Sequence, residues 1–227
     1  MHGYKFYGRR HGRRLNLARE TAMEEDLPRF AIDIPEDTPA GSLAPAAFFA
    51  GAAYKDYWLE IGFGTGEHLA AQAGMNPDTG MIGCEPFING VAALLTTMAK
   101  TAVENIRIWP DDARVLLDAL EAASLSKIFL LHPDPWPKKR HHKRRFIQTE
   151  TLDAFARLLH KGGELRIATD DADLANWMLS KTWSHPCFDF QADCADDWRQ
   201  RPDDWPETRY GQKQLAGQPV YFRFLRV

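Results

Sequence analysis

From Tyr57 onward, the hydrophobic positions alternate between short apolar runs and helical periods for more than a hundred residues. Residues 57–62, 81–84, 106–109, 128–131 and 165–168 are runs of strand length, and the run at 128–131 is apolar throughout. Between them, 67–73, 87–102, 113–122 and 144–159 have the spacing of helices. In the last of these Phe146, Ile147, Phe155, Leu158 and Leu159 share one face, and Gly162-Gly163 is the expected stop. A strand–helix series of this kind predicts an α/β fold, a doubly wound and mostly parallel sheet with helices on both faces. Ligands of such sheets sit beyond the carboxyl ends of the strands. After Asp170 the pattern loosens into a helix over 172–179, an acidic, tryptophan-rich stretch over 192–207 and a closing strand over 220–225.

The first thirty residues show no sustained apolar period and set Tyr4, Phe6 and Tyr7 among arginines and glycines. They read as a flexible basic arm, with residues 31–227 as a single domain. Residues 31–56 carry Pro35, Pro39 and Pro45 and an alanine-rich piece with the makings of a short helix. The net charge of −3 hides a separation of sign: residues 1–19 hold six Lys or Arg and no acid, and Lys138 to Arg145 hold six more. Setting those twelve aside leaves −15 on the rest, so two basic patches are expected on an acidic body, an arrangement that steers a polyanion. Three cysteines with no Cys-x-x-Cys pair indicate neither a disulfide framework nor a zinc ribbon, and a reducing cytoplasm is the simplest setting. No apolar run approaches the roughly 20 residues of a membrane span, and no secretory signal is expected.

The apolar run at 128–131 ends in His132-Pro133-Asp134-Pro135-Trp136, followed by the basic cluster. Pro133 and Pro135 fix their own φ and bias the residues before them toward extended backbone, so Asp134 is expected to be held rigidly at a strand end. Its neighbours Lys138, Arg144 and Arg145 belong to a cluster suited to a nucleic acid. His132, His141 and His142 sit among six cations that would repel a metal ion, and no metal site is expected. They add charge conditionally near RNA. Trp136 suits either stacking on a base or anchoring the loop.

A second motif closes the first strand: Leu59-Glu60-Ile61-Gly62-Phe63-Gly64-Thr65-Gly66. Its glycines permit a tight turn and close approach of a ligand. A dinucleotide fingerprint needs Gly-x-Gly-x-x-Gly; here the third glycine, Gly66, comes one residue early. Glu60 would repel a pyrophosphate but can hold an ammonium group, which S-adenosylmethionine carries. Glu85 closes the second strand, where its carboxylate can accept from both ribose hydroxyls. Asp112, with Ala113 after it, ends the third and can accept from the adenine amine. Any one such acid is commonly a helix cap; three at successive strand ends around a glycine-rich loop favour a methyl-donor pocket.

With these motifs on the chain, the sequence resembles the bacterial tRNA (guanine-N7-)-methyltransferase family. The likeness runs from Tyr7-Gly8-Arg9-Arg10-His11-Gly12-Arg13 through residues 59–66, the Pro133-to-Trp136 motif with Lys143-Arg144-Arg145, and Ala168-Thr169-Asp170 to Thr208-Arg209-Tyr210. It implies a class I S-adenosylmethionine-dependent methyltransferase with a Rossmann-like fold, which methylates guanine N7 in the variable loop of tRNA. Glu60, Glu85 and Asp112 would then contact the methyl donor and Asp134 would be the catalytic acid. Lys138, Asp170 and the segment Thr208, Arg209 and Tyr210 would contact substrate. Gly211 departs from the family, which has Glu there.

Guanine N7 bears an in-plane lone pair and no proton, so attack on a methyl group needs no general base, and positioning dominates. The purine becomes cationic, and a nearby carboxylate favours that charge. Asp134 can equally accept from guanine N1–H and N2–H₂. Competing readings are an exocyclic-amino methyltransferase, whose Asp/Asn-Pro-Pro-aromatic motif differs from Asp134-Pro135-Trp136, a noncatalytic RNA-binding protein with a residual pocket, and a nicotinamide-dependent oxidoreductase.

Overall fold

The apolar runs pair into one seven-stranded sheet in the computed structural model, which describes residues 4–49, 51–206 and 216–227. In chain order the elements are α1 (Leu17–Thr21), α2 (Leu27–Phe30), β1 (Asp56–Ile61), α3 (Glu67–Met75), β2 (Thr79–Cys84), α4 (Ile88–Thr101) and β3 (Ile106–Trp109). There follow α5 (Ala113–Ala119), β4 (Leu125–Leu131), α6 (Thr149–Leu158), β5 (Leu159–Thr169), α7 (Ala172–Trp183), β6 (Phe188–Phe190), α8 (Asp196–Arg199) and β7 (Val220–Arg226). The strand order is β3-β2-β1-β4-β5-β7-β6, and β1 to β5 run parallel. β7 enters antiparallel between β5 and β6, giving a mixed α/β sheet of the expected doubly wound kind.

Alternate strand residues point to opposite faces, so each strand supplies two cores. Met81 of β2 joins Leu69 of α3 and Val91, Leu94, Leu95 and Met98 of α4. Its neighbour Ile82 joins Leu116 of α5, Phe155 of α6 and Met178 of α7. β1 and β4 run up the middle of the sheet and part above it to different helices. That divergence opens the crevice in which a ligand can lie.

Three local readings differ from the sequence expectation. The helix expected over 144–159 begins at Thr149, because residues Lys139–Arg144 take a tighter 3-10 turn and Gln148 caps α6 in a box with Thr151. It ends at Leu158 without help from Gly162-Gly163. Leu159 is already extended, is buried and pairs with Leu125. Residues 17–30, read as part of a flexible arm, form α1, a five-residue π-turn and α2, and bury Ala22 and Phe30 against the α4 side of the sheet. β6, three residues long, carried no recognisable period.

Candidate active site

The loop after β1 takes left-handed backbone at every second residue, with φ of 71° at Gly62, 56° at Gly64 and 75° at Gly66. A Cβ on Gly62 or Gly64 would meet nothing within 4 Å, so both present bare backbone to a cleft. Helix α4 closes against the same loop, and a Cβ on Gly90 would stand 2.2 Å from the Gly64 carbonyl oxygen. Only a glycine fits that approach. The cleft holds about 1320 Å³ and is lined by Gly62, Glu85, Asp112, Asp134 and Trp136. Small-molecule sites commonly hold roughly 300–1,000 Å³, so this one has room for a methyl donor and a nucleobase together.

The three strand-end acids converge there and all are buried. Glu85 accepts from the Gly64 N–H through Oε2 at 2.8 Å and from the Phe87 N–H through Oε1 at 2.9 Å, which ties β2 to the loop. Burial, and after it the charges of Asp134 and Glu60, push the Glu85 carboxyl above its usual range, against the pull of those two N–H groups. Asp112 caps α5, accepting from the Arg114 N–H at 3.0 Å and from its guanidinium, so the helix-cap role is real for this residue. Ala113, next to it, is buried at the cleft wall. Glu60 is paired with His68, a partner the sequence did not suggest. These acids and the bare glycine backbone fit S-adenosylmethionine: anionic acceptors for an ammonium, two hydroxyls and an amine.

Asp134 stands exposed in the cleft mouth and, among the described residues, has no hydrogen-bonding or ion-pair partner. Its backbone is clamped. His132 and Trp136, two residues to either side, are both left-handed, with φ of 48° and 44°. Such conformations cost of order 1–3 kcal/mol each at non-glycine residues and persist only when their surroundings impose them. Here the His132 N–H donates to the Ala168 carbonyl at 2.8 Å, and Arg145 donates from Nε to the Pro135 carbonyl at 2.9 Å. Burial pulls the His132 imidazole below its ordinary value against the attraction of Asp170, and burial with the charges of Arg144, Arg140, Lys138 and Lys143 lowers His141 as well.

The basic cluster divides by direction. Lys138, Lys139, Arg140 and Lys143 are exposed. Arg144 is half-buried, its guanidinium 4.5 Å from the Tyr7 ring centre and 4.8 Å from that of Trp136. Arg145, expected to contact substrate, is 2% exposed: it pairs with Asp173 and lies over Trp177 at 5.1 Å. That placement makes it a brace for the Asp134 loop. Arg145→Ala is therefore expected to remove about 1–3 kcal/mol of stability, a fall of roughly 3–10 °C in Tm. Lys138→Ala should leave Tm unchanged and weaken RNA binding; equal melting of both variants in calorimetry would refute the division.

Asp170 is tied into the same loop. It is buried, accepts from the Ala216 N–H at 3.1 Å and faces His132 Nδ1 at 3.6 Å, so it braces the loop ends. Thr208, Arg209 and Tyr210, with Gly211, lie outside the described residues. Residues 4–13 run across the cleft: the Tyr4 hydroxyl donates to Asp118 at 2.7 Å, the Gly12 N–H donates to the Asn89 side chain at 2.8 Å, and Arg10 pairs with Asp111. Burial, then the hydrogen bond and charge of Asp118, raise the Tyr4 phenol to about 12. Tyr4, Phe6 and Tyr7 thereby line the cleft, a role their sequence position hinted at only by setting aromatics among arginines.

Among the described residues no group of His, Cys, Asp and Glu could hold a metal ion, and no helix is long and apolar enough to cross a membrane. The fold is shared with the 16S rRNA methyltransferase KamB (TM-score 0.57, 14% identity, 84% of this chain and 99% of that one). It is shared too with an S-adenosylmethionine-dependent O-methyltransferase from Thermotoga maritima (TM-score 0.52, 15% identity, 93% and 72%). A family described as "Putative methyltransferase" matches residues 55–223. Over 98% of its length the chain is 46% identical to a protein from Rhodospirillum rubrum, covering 88% of it, and 47% identical to one from Paramagnetospirillum magneticum, covering 92%. Both relatives are named tRNA (guanine-N(7)-)-methyltransferase, and at this identity over nearly the whole chain the protein belongs to that family of methyltransferases.

Proposed function

We propose that the protein transfers a methyl group from S-adenosylmethionine to N7 of a guanine in tRNA. The observation that carries this is Asp134: a carboxylate with no partner among the described residues, clamped between two left-handed residues, in the same cleft as the bare glycine backbone and Glu85. S-adenosylmethionine supplies a methyl group on a sulfonium, which a lone pair can take in one displacement. The chain's part is to position and to balance charge. Gly62 and Gly64 let the methyl donor lie against backbone, Glu85 takes its ribose hydroxyls, Asp112 and Ala113 flank the adenine, and Glu60 attracts the ammonium. Asp134 accepts from guanine N1–H and N2–H₂, which turns N7 toward the methyl group, and stabilises the cation as it forms. Incubating tRNA with labelled methyl donor and analysing its nucleosides by mass spectrometry should show 7-methylguanosine. Label in N2-methylguanosine, or none, would refute this reading.

The exposed cations of the turn and of the arm supply the grip on RNA. Affinity for tRNA should fall steeply with salt, because each phosphate contact releases counterions and contributes about 0.7–0.9 to the log–log slope. Deleting residues 1–13 should weaken binding and make that slope shallower. An unchanged slope in filter binding would leave the arm without a role in RNA recognition. Three free cysteines, one of them exposed, agree with a reducing cytoplasm as its place of work.

A further inference from the structure

Beneath the cleft floor lies a buried chain of polar groups whose direction the hydrogen bonds fix. His68, on α3, is 3% exposed and its Nδ1 stands 2.7 Å from Oε2 of Glu60, itself 3% exposed. Gln72, one turn along, donates from Nε2 to the Asp204 carbonyl at 2.7 Å, while its Oε1 accepts from Asn76 at 3.3 Å, so the amide cannot be turned the other way. The second hydrogen of that amide points at His68 Nε2, 3.4 Å away. Nε2 is then the acceptor of the ring and Nδ1 carries the proton, which it donates to Glu60. Oε1 of Glu60 has no partner among the described residues and belongs to a residue that lines the cleft.

We propose that His68 is a positioning residue: its Nδ1–H fixes one oxygen of the buried Glu60 carboxylate and leaves the second oxygen for the α-ammonium of the methyl donor. The assignment rests on the methyl-donor reading given above and adds how the carboxylate is oriented. Without that N–H, Oε2 of Glu60 loses its donor in a buried place, and the carboxylate is free to turn its second oxygen away from the cleft. The ring also packs against Phe129 at 4.8 Å and Trp205 at 5.6 Å between ring centres, so a bland packing role is the competitor.

Two substitutions separate these roles. His68→Phe keeps an aromatic ring and has no N–H; His68→Asn loses the ring and keeps an N–H close to the place of Nδ1. Calorimetric titration of the full chain uses two probes, S-adenosylhomocysteine, which has the ammonium, and 5′-methylthioadenosine, which lacks it. His68→Phe should weaken S-adenosylhomocysteine about tenfold or more, as for a lost hydrogen bond to a charged group, and leave 5′-methylthioadenosine within about twofold. His68→Asn should bind S-adenosylhomocysteine within about threefold of the unaltered protein, even with a lower Tm. Glu60→Gln should reproduce the selective loss and keeps the test decisive if His68→Phe does not fold. Unchanged S-adenosylhomocysteine binding in His68→Phe or in Glu60→Gln, equal loss of both probes, or a His68→Asn as weak as His68→Phe would overturn the proposal. Failure of the unaltered protein to bind either probe would instead overturn the methyl-donor reading beneath it.

Discussion

Asp134→Asn is expected to lower kcat/KM for tRNA by at least about tenfold while leaving Tm and methyl-donor affinity near those of the unaltered protein. The size follows from two losses. A bidentate contact to a base edge is worth roughly 1–3 kcal/mol, and the asparagine amide would set a hydrogen-bond donor against guanine N1–H or N2–H₂. The substitution also removes the negative charge that offsets the forming cation, which adds to the loss in kcat. Stability should hold because Asp134 is exposed and, among the described residues, makes no hydrogen bond or ion pair that folding relies on. What fixes its backbone lies on either side: the prolines, the His132 N–H and the Pro135 carbonyl held by Arg145. Steady-state kinetics with tRNA, beside calorimetry with S-adenosylhomocysteine, checks the division. A rate equal to the unaltered protein's, or a loss explained by unfolding, would remove Asp134 from the mechanism.

What the sequence shows of this site depends on how local the signal is. The strands and the glycine loop are legible because burial on both faces of a parallel sheet demands unbroken apolar runs, and because left-handed backbone at Gly62 and Gly64 selects glycine. Asp134 is legible for the same reason, as Pro133 and Pro135 constrain it from the positions on either side. The basic cluster misleads, because charge in a sequence says nothing of direction. Arg145 is spelled like Lys143 yet turns inward to Trp177 and Asp173, while Lys143 faces water. Asp170 likewise ends a strand as Glu85 does, yet its carboxylate accepts from the Ala216 N–H, a contact no local pattern announces. The arm fails from the opposite cause. Its ties run over long sequence distances, Tyr4 to Asp118 and Gly12 to Asn89, and no periodicity records such contacts. His68 sits eight residues after Glu60 in an ordinary helical position, and only the meeting of α3 with β1 makes the two a pair.

Glu85 gives the second large effect, and its sign can be worked through. In the folded protein without ligand its carboxyl lies above the ordinary 4.5, through burial first and then through the charges of Asp134 and Glu60. The folded state therefore binds a proton more tightly than the unfolded chain does. Stability contributed by the protonated form is lost as pH rises from about the ordinary value through the raised one. Ribose hydroxyls donate to the ionised carboxylate and favour it, so the methyl donor binds the deprotonated form better. Affinity for S-adenosylhomocysteine should accordingly rise across that same window and level off above it, and the gain in Tm on adding ligand should rise with it. Glu85→Gln cannot accept through both side-chain atoms from the Gly64 and Phe87 N–H groups as the acid does at 2.8 and 2.9 Å. One buried N–H is left facing an amide N–H₂, at a cost of about 1–3 kcal/mol, and the ribose loses its anionic acceptor. A weakening of about tenfold to a hundredfold is expected, with the pH dependence due to this residue abolished. If Glu85→Gln binds S-adenosylhomocysteine as the unaltered protein does, or keeps the same rise with pH, the ribose is held by some other group and the strand-end acid serves only to tie β2 to the glycine loop.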